Sequence, residues 1–545
     1  MNIDDIISSY NALRAVRDGS FLPVWKRVRK YVYPDRQSDK SAGSVEADIF
    51  DTTAIMARER LAAGMYNWMA PPDKRWFELQ PQDELLADNE EVKNYFAEVT
   101  KKIAMTMANS NWATVLIEVL NELAAGFDGV IYLEDGGESV LNFRCLVVES
   151  VCYSANSKQV VDTLYHELKM SAVDIVREFE HVPEKIRQAA EDPKRRTEEF
   201  SILHAVMPRY DFVQSAGNKS MPFADYYIEL GSKAMLREGG FNEFPYAVCH
   251  FRKAPQEAYG RGPGVDILPD IIMLNRMRQT YIVNAEHAAD PSWLVPDGTL
   301  VSGSFDRSPG AVNIYKPDMN NARPELVPHV NNAHNAYADI QAEQERIRKD
   351  GFYADIFDPL GDLKQLTATE AEIRNSAKMI PFAPIAGNLH SQLFRPIINR
   401  VYSLLNGKGL LPQLPAVLLE KPDYKIEFVS KIALSIKNIE TLAWLQTEAS
   451  LVNIAQVRPE VLDNFDFDEI ARQTALNNGI NPAWLINTDD RDSMREDRAV
   501  QQAQAQGAGT LMEAAGALGN NLNKAPEAGS PLDMVLNGGA WYEVG

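Results

Sequence analysis

The sequence predicts an α+β protein, and three features carry that prediction. Apolar residues recur at helical spacing through residues 1–127. Alternating, β-branched stretches dominate from there to about 260, and long helical segments return from 264 onward. At 545 residues, 45% hydrophobic and 24% charged, the chain has ordinary globular composition and the length for several domains.

Residues 1–35 place Ile6, Ile7, Tyr10 and Leu13, then Trp25, Val28 and Tyr31, at helical spacing. AIMARERLAAGMYNWMAPP, 54–72, is an amphipathic helix with Asp51, Thr52 and Thr53 as N-cap candidates and Pro71-Pro72 as its stop. RWFELQP reads as a short strand, and 89–127 as two helices, the second with Trp112, Val115, Leu116, Val119, Leu120 and Leu123 on one face. After Gly126 the pattern alternates, with Asp135-Gly136-Gly137 as a hairpin turn. A short helix, SAVDIVREF, precedes a charged helical linker at 183–200, and strands are expected at 201–213, 224–231 and 244–253. Residues 1–260 thus read as helices packed on antiparallel sheet.

GRGPGVD, 260–266, has the glycines of a phosphate cradle but not the preceding buried strand of a βαβ unit. Its polar flank predicts a glycine hinge through which a helix leaves the sheet body. That helix, 264–290, carries Ile267, Ile271, Leu274 and Arg278 near one face, Leu268, Ile272 and Asn275 beside it, and Met277, Tyr281 and Ile282 beyond. So wide an apolar face implies contacts on two sides. Residues 292–330 lack helical periodicity and hold the strand candidates WLVP and AVNIYKP. A second, more polar helix at 331–352 has a thin stripe of Ala333, Ala336, Tyr337, Ile340 and Ile347, with Arg346, Arg348 and Lys349 near its C-terminal end. A loop, YADIFDPLGDLKQL, leads to a long helix at 367–409 that Pro381, Pro384 and Pro396 should bend. A strand is expected at 424–435 and helices over 438–507, before a Gly/Ala/Asn-rich tail.

The charge is informative. Lys and Arg number 55 against 76 Asp and Glu, a formal net charge of −21. Reading nucleic acid through its phosphates needs the opposite balance, whereas a conduit that must not adhere to DNA suits this one. Cys145, Cys152 and Cys249 form no CxxC and no even framework, which points to a reducing compartment. The polar N-terminus has no signal-peptide core, and no run reaches the roughly 18 apolar residues of a membrane span, so a soluble protein made in a cytoplasm is expected.

Enzyme signatures are missing or mimicked. There is no G-x-x-x-x-G-K-[ST] and no GxSxG. YHELKM has Met170 where a zinc helix needs its second histidine, and it reads as the end of a strand. His329 and His334 lack the further ligands of a metal site. Asp489, Asp490 and Asp492 are the one carboxylate cluster that could hold Mg²⁺, interrupted by Arg491; the stretch reads more simply as an exposed helix start. No cofactor or metal is expected.

The order of elements over 264–409, with LTATEAEIRNSA (366–377), ARERLAAGM (57–65) and FPYAVCHFRKAPQEAYGRGPG (244–264), resembles the portal, or head-to-tail connector, proteins of short-tailed bacteriophages. The likeness runs over roughly 45–500. It implies a wing at 1–263, completed by 410–437; stem helices at 264–290 and 331–353; a clip at 291–330 between them; a tunnel loop at 354–366; a kinked helix at 367–409; a helical crown at 438–507; and a tail or short barrel at 508–545. It implies a non-enzymatic homo-oligomeric ring, usually of twelve copies, at one capsid vertex of the virion, assembled in the host bacterial cytoplasm. Terminase, a tail adaptor, major capsid and scaffolding proteins would be its partners, with double-stranded DNA passing non-specifically and no membrane. On that plan Ile267, Ile271, Leu274, Tyr281, Tyr337 and Ile340 pack the stem. Trp293, Phe305, Arg307, Tyr315 and Lys316 offer the clip's docking groups, and Asp355, Asp358, Asp362 and Lys364 face DNA. The alternative is a metal-dependent nuclease or terminase-like packaging enzyme built on Asp489, Asp490 and Asp492.

Overall fold

A computed structural model describes residues 2–34, 48–71, 74–86, 89–137, 140–209, 220–289, 293–294, 325–326, 333–357, 379–419, 423–430 and, discontinuously, 434–504. The chain divides into two compact units, Met1–Asp466 and Phe467–Gly545. The first unit begins with helices α1 (Ile3–Val16) and α2 (Leu22–Tyr31), joined by a π turn, then α3 (Thr53–Met69), strand β1 (Phe77–Pro81), α4 (Glu90–Ala108) and α5 (Trp112–Ala125). Sheet follows: β2 (Gly129–Asp135), β3 (Leu141–Leu146), β4 (Val151–Ala155), β5 (Val161–Ser171), the helices α6 (Ala172–Glu178) and α7 (Glu184–Glu191), then β6 (Glu199–Pro208), β7 (Phe223–Glu229), β8 (Ala234–Phe241) and β9 (Tyr246–Cys249). A helical turn, α8 (Pro263–Asp266), leads into α9 (Leu268–Ala289). The two-residue strands β10 (Trp293–Leu294) and β11 (Glu325–Leu326) pair antiparallel before α10 (Ala333–Arg346). Then come α11 (Ala354–Phe357), α12 (Ala383–Leu389), α13 (Arg395–Gly407) and β12 (Tyr424–Phe428). The second unit opens with α14 (Phe467–Asn477) and is helical again at 490–504.

Among the described residues all sheet pairings are antiparallel. The larger sheet runs β4-β5-β6-β7-β8 and the smaller β3-β2-β9. Strand alternation decides what each face meets. On β6, Leu203, Ala205 and Met207 face Ile6 and Tyr10 of α1. Ile202 points oppositely and meets Ile175, Phe179 and Ile186 of α6 and α7. The main core is continuous from Trp25 through α3, α5 and the smaller sheet to α9, α12 and α13. β12 returns from far along the chain to pair with β1, Phe77 opposite Phe428.

Several sequence expectations change here. The 183–200 stretch is helical only over Glu184–Glu191; the chain then turns and enters β6 at Glu199. β8 was not expected, because Arg237-Glu238-Gly239-Gly240 breaks apolar alternation on an edge strand. YHELKM, 165–170, makes up the closing half of the 11-residue β5, with His166 directly opposite His204. Pro384 sits in the first turn of α12. Pro396 opens α13 directly after helical residues 390–395, so its missing N–H leaves the carbonyl one turn back, at Gln392, without that partner. Between α12 and α13 runs a π turn, His390–Phe394, of the kind that also precedes α2 and follows α10.

The expected glycine hinge is a close-packed crossing instead. Gly262 and Gly264 are buried against the end of α5. A Cβ on Gly262 would lie 2.6 Å from Leu123 O, and one on Gly264 2.2 Å from Ala125 O. Gly126, at φ 107°, ends α5 in the left-handed conformation and leaves the same space. These glycines supply proximity rather than freedom.

Candidate functional site

The site that the sequence singles out is the helix pair α9–α10. The pair is antiparallel: Arg346, at the end of α10, bonds Asp270 near the start of α9 at 3.0 Å. Tyr281 and Tyr337 meet further along, ring centroids 6.0 Å apart. Of the expected packing residues, Ile271, Leu274 and Ile340 are buried, while Ile267 and Tyr281 are half-buried. Tyr337 remains 42% exposed. Met273, Ile282 and Val283 are exposed on α9 as well, so the wide apolar face is only partly covered by the chain itself. A groove of about 490 Å³ runs along it, lined among others by Ile272, Met273, Met277, Tyr281, Ala336 and Ile340.

The base of the pair is held by polar contacts. Asn275, 7% exposed, accepts hydrogen bonds from Phe50 N (2.7 Å) and Asp51 N (3.2 Å), and its amide donates to Asp48 O. Gln344 of α10 donates to Asp51 Oδ2 at 2.7 Å. Sequence reasoning placed Asn275 on the flank without giving it this role. The usable signal was an amide inside an otherwise apolar face, a residue type that is buried only when paired. The basic residues near the end of α10 are matched to acidic neighbours: Arg346 with Glu343 at 2.6 Å and Lys349 with Glu345 at 2.8 Å.

The first residues of the expected DNA-facing loop, 354–357, are helical. Asp355 is exposed, but it belongs to α11, whose Ile356 is buried. Phe357 sits on Gly64 of α3 and meets Trp68 and Phe382 edge-on, at 6.2 and 5.5 Å between ring centroids. Asp358, Asp362 and Lys364 lie outside the described residues, as do Phe305, Arg307, Tyr315, Lys316 and the side chain of Trp293. His329 and the side chain of His334 do as well.

Of the three carboxylates of the alternative reading, Asp490 and Asp492 are among the described residues. Arg491 pairs with Asp492 at 2.8 Å and with Asp468 at 3.4 Å, and Arg495 bonds Asp468 at 2.8 Å. Asp490 is exposed and Asp489 lies outside the described residues. Among the described residues no three His, Cys, Asp or Glu side chains gather as a metal site, and no helix is long and apolar enough to cross a membrane.

A model of the bacteriophage head to tail connecting protein matches residues 4–486. The chain is 28% identical over 523 residues to a probable portal protein of Bordetella phage BPP-1, covering 94% of this chain and 93% of that protein. It is 25% identical over 524 residues to the portal protein of Salmonella phage epsilon15, covering 91% and 92%. A family model that takes in residues 4–486 of 545 covers most of the chain, and on that ground this protein belongs to the bacteriophage head-to-tail connecting proteins.

Proposed function

We propose that this head-to-tail connector acts as a portal: a closed ring of identical chains, twelve on the family plan, at one capsid vertex. The carrying observation is the apolar flank of α9–α10, with Met273, Ile282, Val283 and Tyr337 exposed on a pair already packed at its base. A helix pair with one flank buried in its own body and another left apolar calls for a neighbouring copy, and a cyclic arrangement satisfies every copy alike. In this reading α9 and α10 form the stem. The segment 291–330 between them, with Trp293, Phe305, Arg307, Tyr315 and Lys316, docks terminase during packaging and the tail adaptor afterwards. The outer body meets major capsid and scaffolding proteins.

The net charge of −21 supports the passage of DNA without adhesion. Asp355, Asp358 and Asp362, repeated around a ring, would present each passing phosphate with repulsion, and Lys364 with a transient contact. The role is mechanical, without a catalytic step.

Mass photometry of the purified chain tests the ring. A particle near twelve times the 61.0 kDa chain mass is expected. A particle of one chain's mass at every concentration and salt would overturn the proposal.

A further inference from the structure

Asp128 is a buried carboxylate that the connector function does not account for. It stands between the end of α5 and the start of β2 and is 1% exposed. Its hydrogen bonds come from three separate segments. The Tyr153 hydroxyl, on β4, donates to Oδ2. His250 Nδ1, one residue past β9, lies 2.6 Å from Oδ1. The amide of Gly260 donates to both oxygens, at 3.0 and 3.1 Å. A Cβ at residue 260 would lie 2.5 Å from Oδ1, so only glycine lets the backbone come this close.

Two of these partners lead elsewhere. Gly260 is the penultimate residue of a strap, 252–261, closed by reciprocal bonds between Arg252 and Arg261 at 3.0 and 2.7 Å. The strap runs straight into the Gly262–Gly264 crossing and then α8 and α9, so its position sets where the long helix leaves the body. The strap is also wedged from behind. Tyr259 is buried against Trp25 (5.1 Å, edge-on) and Tyr153 (4.8 Å). On the other side, the backbone amide of His250 donates to Gln392 Oε1 at 3.1 Å. Gln392 lies in the middle of the π turn that separates α12 from α13.

We infer that Asp128 is a positioning residue: it fixes the departure of α9 and ties that departure, through His250 and Gln392, to the π turn at His390–Phe394. A carboxylate that only filled space in the core would need no such convergence. A buried carboxylate with both oxygens engaged by three segments admits one arrangement of those segments. A π turn carries an extra residue that a small shift can redistribute, so it is a place where a helix changes shape at low cost. The coupling belongs to one chain and does not depend on the ring.

Hydrogen exchange on the full-length chain tests this. Asp128→Asn keeps the volume and weakens the acceptor. Exchange at residues 250–264 and at 390–398 is expected to quicken about tenfold, the worth of one strong hydrogen bond, with β6–β8 protected as before. Gln392→Ala cuts the second link alone and is expected to quicken 390–398 and to sever it from 250–264 in the double variant. Tyr153→Phe removes one donor and serves as the milder probe if Asp128→Asn does not fold. Two outcomes overturn the inference: uniform loss of protection including β6–β8, or a change at 250–264 with 390–398 unmoved in every variant.

Discussion

Glu122 and Arg29 show how much of this fold depends on single buried charges. Arg29 donates to both oxygens of Glu122, at 3.1 and 2.6 Å, and to Glu149 at 2.7 and 2.9 Å, with Glu122 fully buried. Burial opposes the charge on Arg29, and its two carboxylate partners outweigh that and hold the guanidinium protonated. Glu122→Ala would leave a buried cation half matched, and a loss of about 3 kcal/mol of unfolding free energy is expected in chemical denaturation. Histidines act in the other direction. Burial first, then Arg395, lowers the His390 pKa to about 4; its ring lies flat on Phe428 at 4.0 Å. Burial, then His204 and Arg144, lowers His166 to about 3. A histidine with a depressed folded pKa contributes stability that is fully present above its ordinary value of 6.5 and is lost as the pH falls toward 4 or 3. His390→Phe keeps the ring stack and removes the titration, so its melting temperature should fall less between pH 6.5 and 4 than that of the unaltered chain.

At the scale of elements, the crossing of α5 by Gly262–Gly264 and the pairing of β1 with β12 tie distant parts of the chain into one body. Gly264→Ala tests the crossing. Its Cβ would meet backbone at Ala125 rather than a side chain that can swing away, so α8 must shift. A destabilisation of roughly 1–3 kcal/mol is expected from the midpoint of urea unfolding, larger than for Gly387→Ala, which meets nothing within 4 Å. Helices α1, α3, α4, α5, α9 and α10 were legible because their apolar residues keep one period over many turns. β8, the end of α7 and the π turns were not. An edge strand needs no apolar face, and a π turn leaves no mark in periodicity beyond one extra residue.

At the scale of the whole molecule, the question is what covers α9–α10. Tyr337→Asp puts a charge on the exposed flank and leaves the buried Ile340 and Ile271 in place. The variant chain should lose no more than about 1 kcal/mol of unfolding free energy, since the side chain is partly exposed to solvent. In sedimentation it should appear as single chains under conditions where the unaltered protein is assembled. Assembly that survives Tyr337→Asp and a second charge at Met273 would place the contact between copies elsewhere.

The sequence by itself determined the α+β class, the long helices, the acidic balance and the family, because each is a property of periodicity, composition or ordered motifs along the chain. Tertiary structure alone decided that the 260–264 glycines are a tight crossing, that Asn275 clamps residues 48–51, that α11 is packed into the body and that Asp128 joins three segments. The physical reason is the same in each case. A glycine, an amide or a lone carboxylate has no period, and its role is set by what lies within about 3 Å, which here comes mostly from residues more than a hundred positions away in the chain.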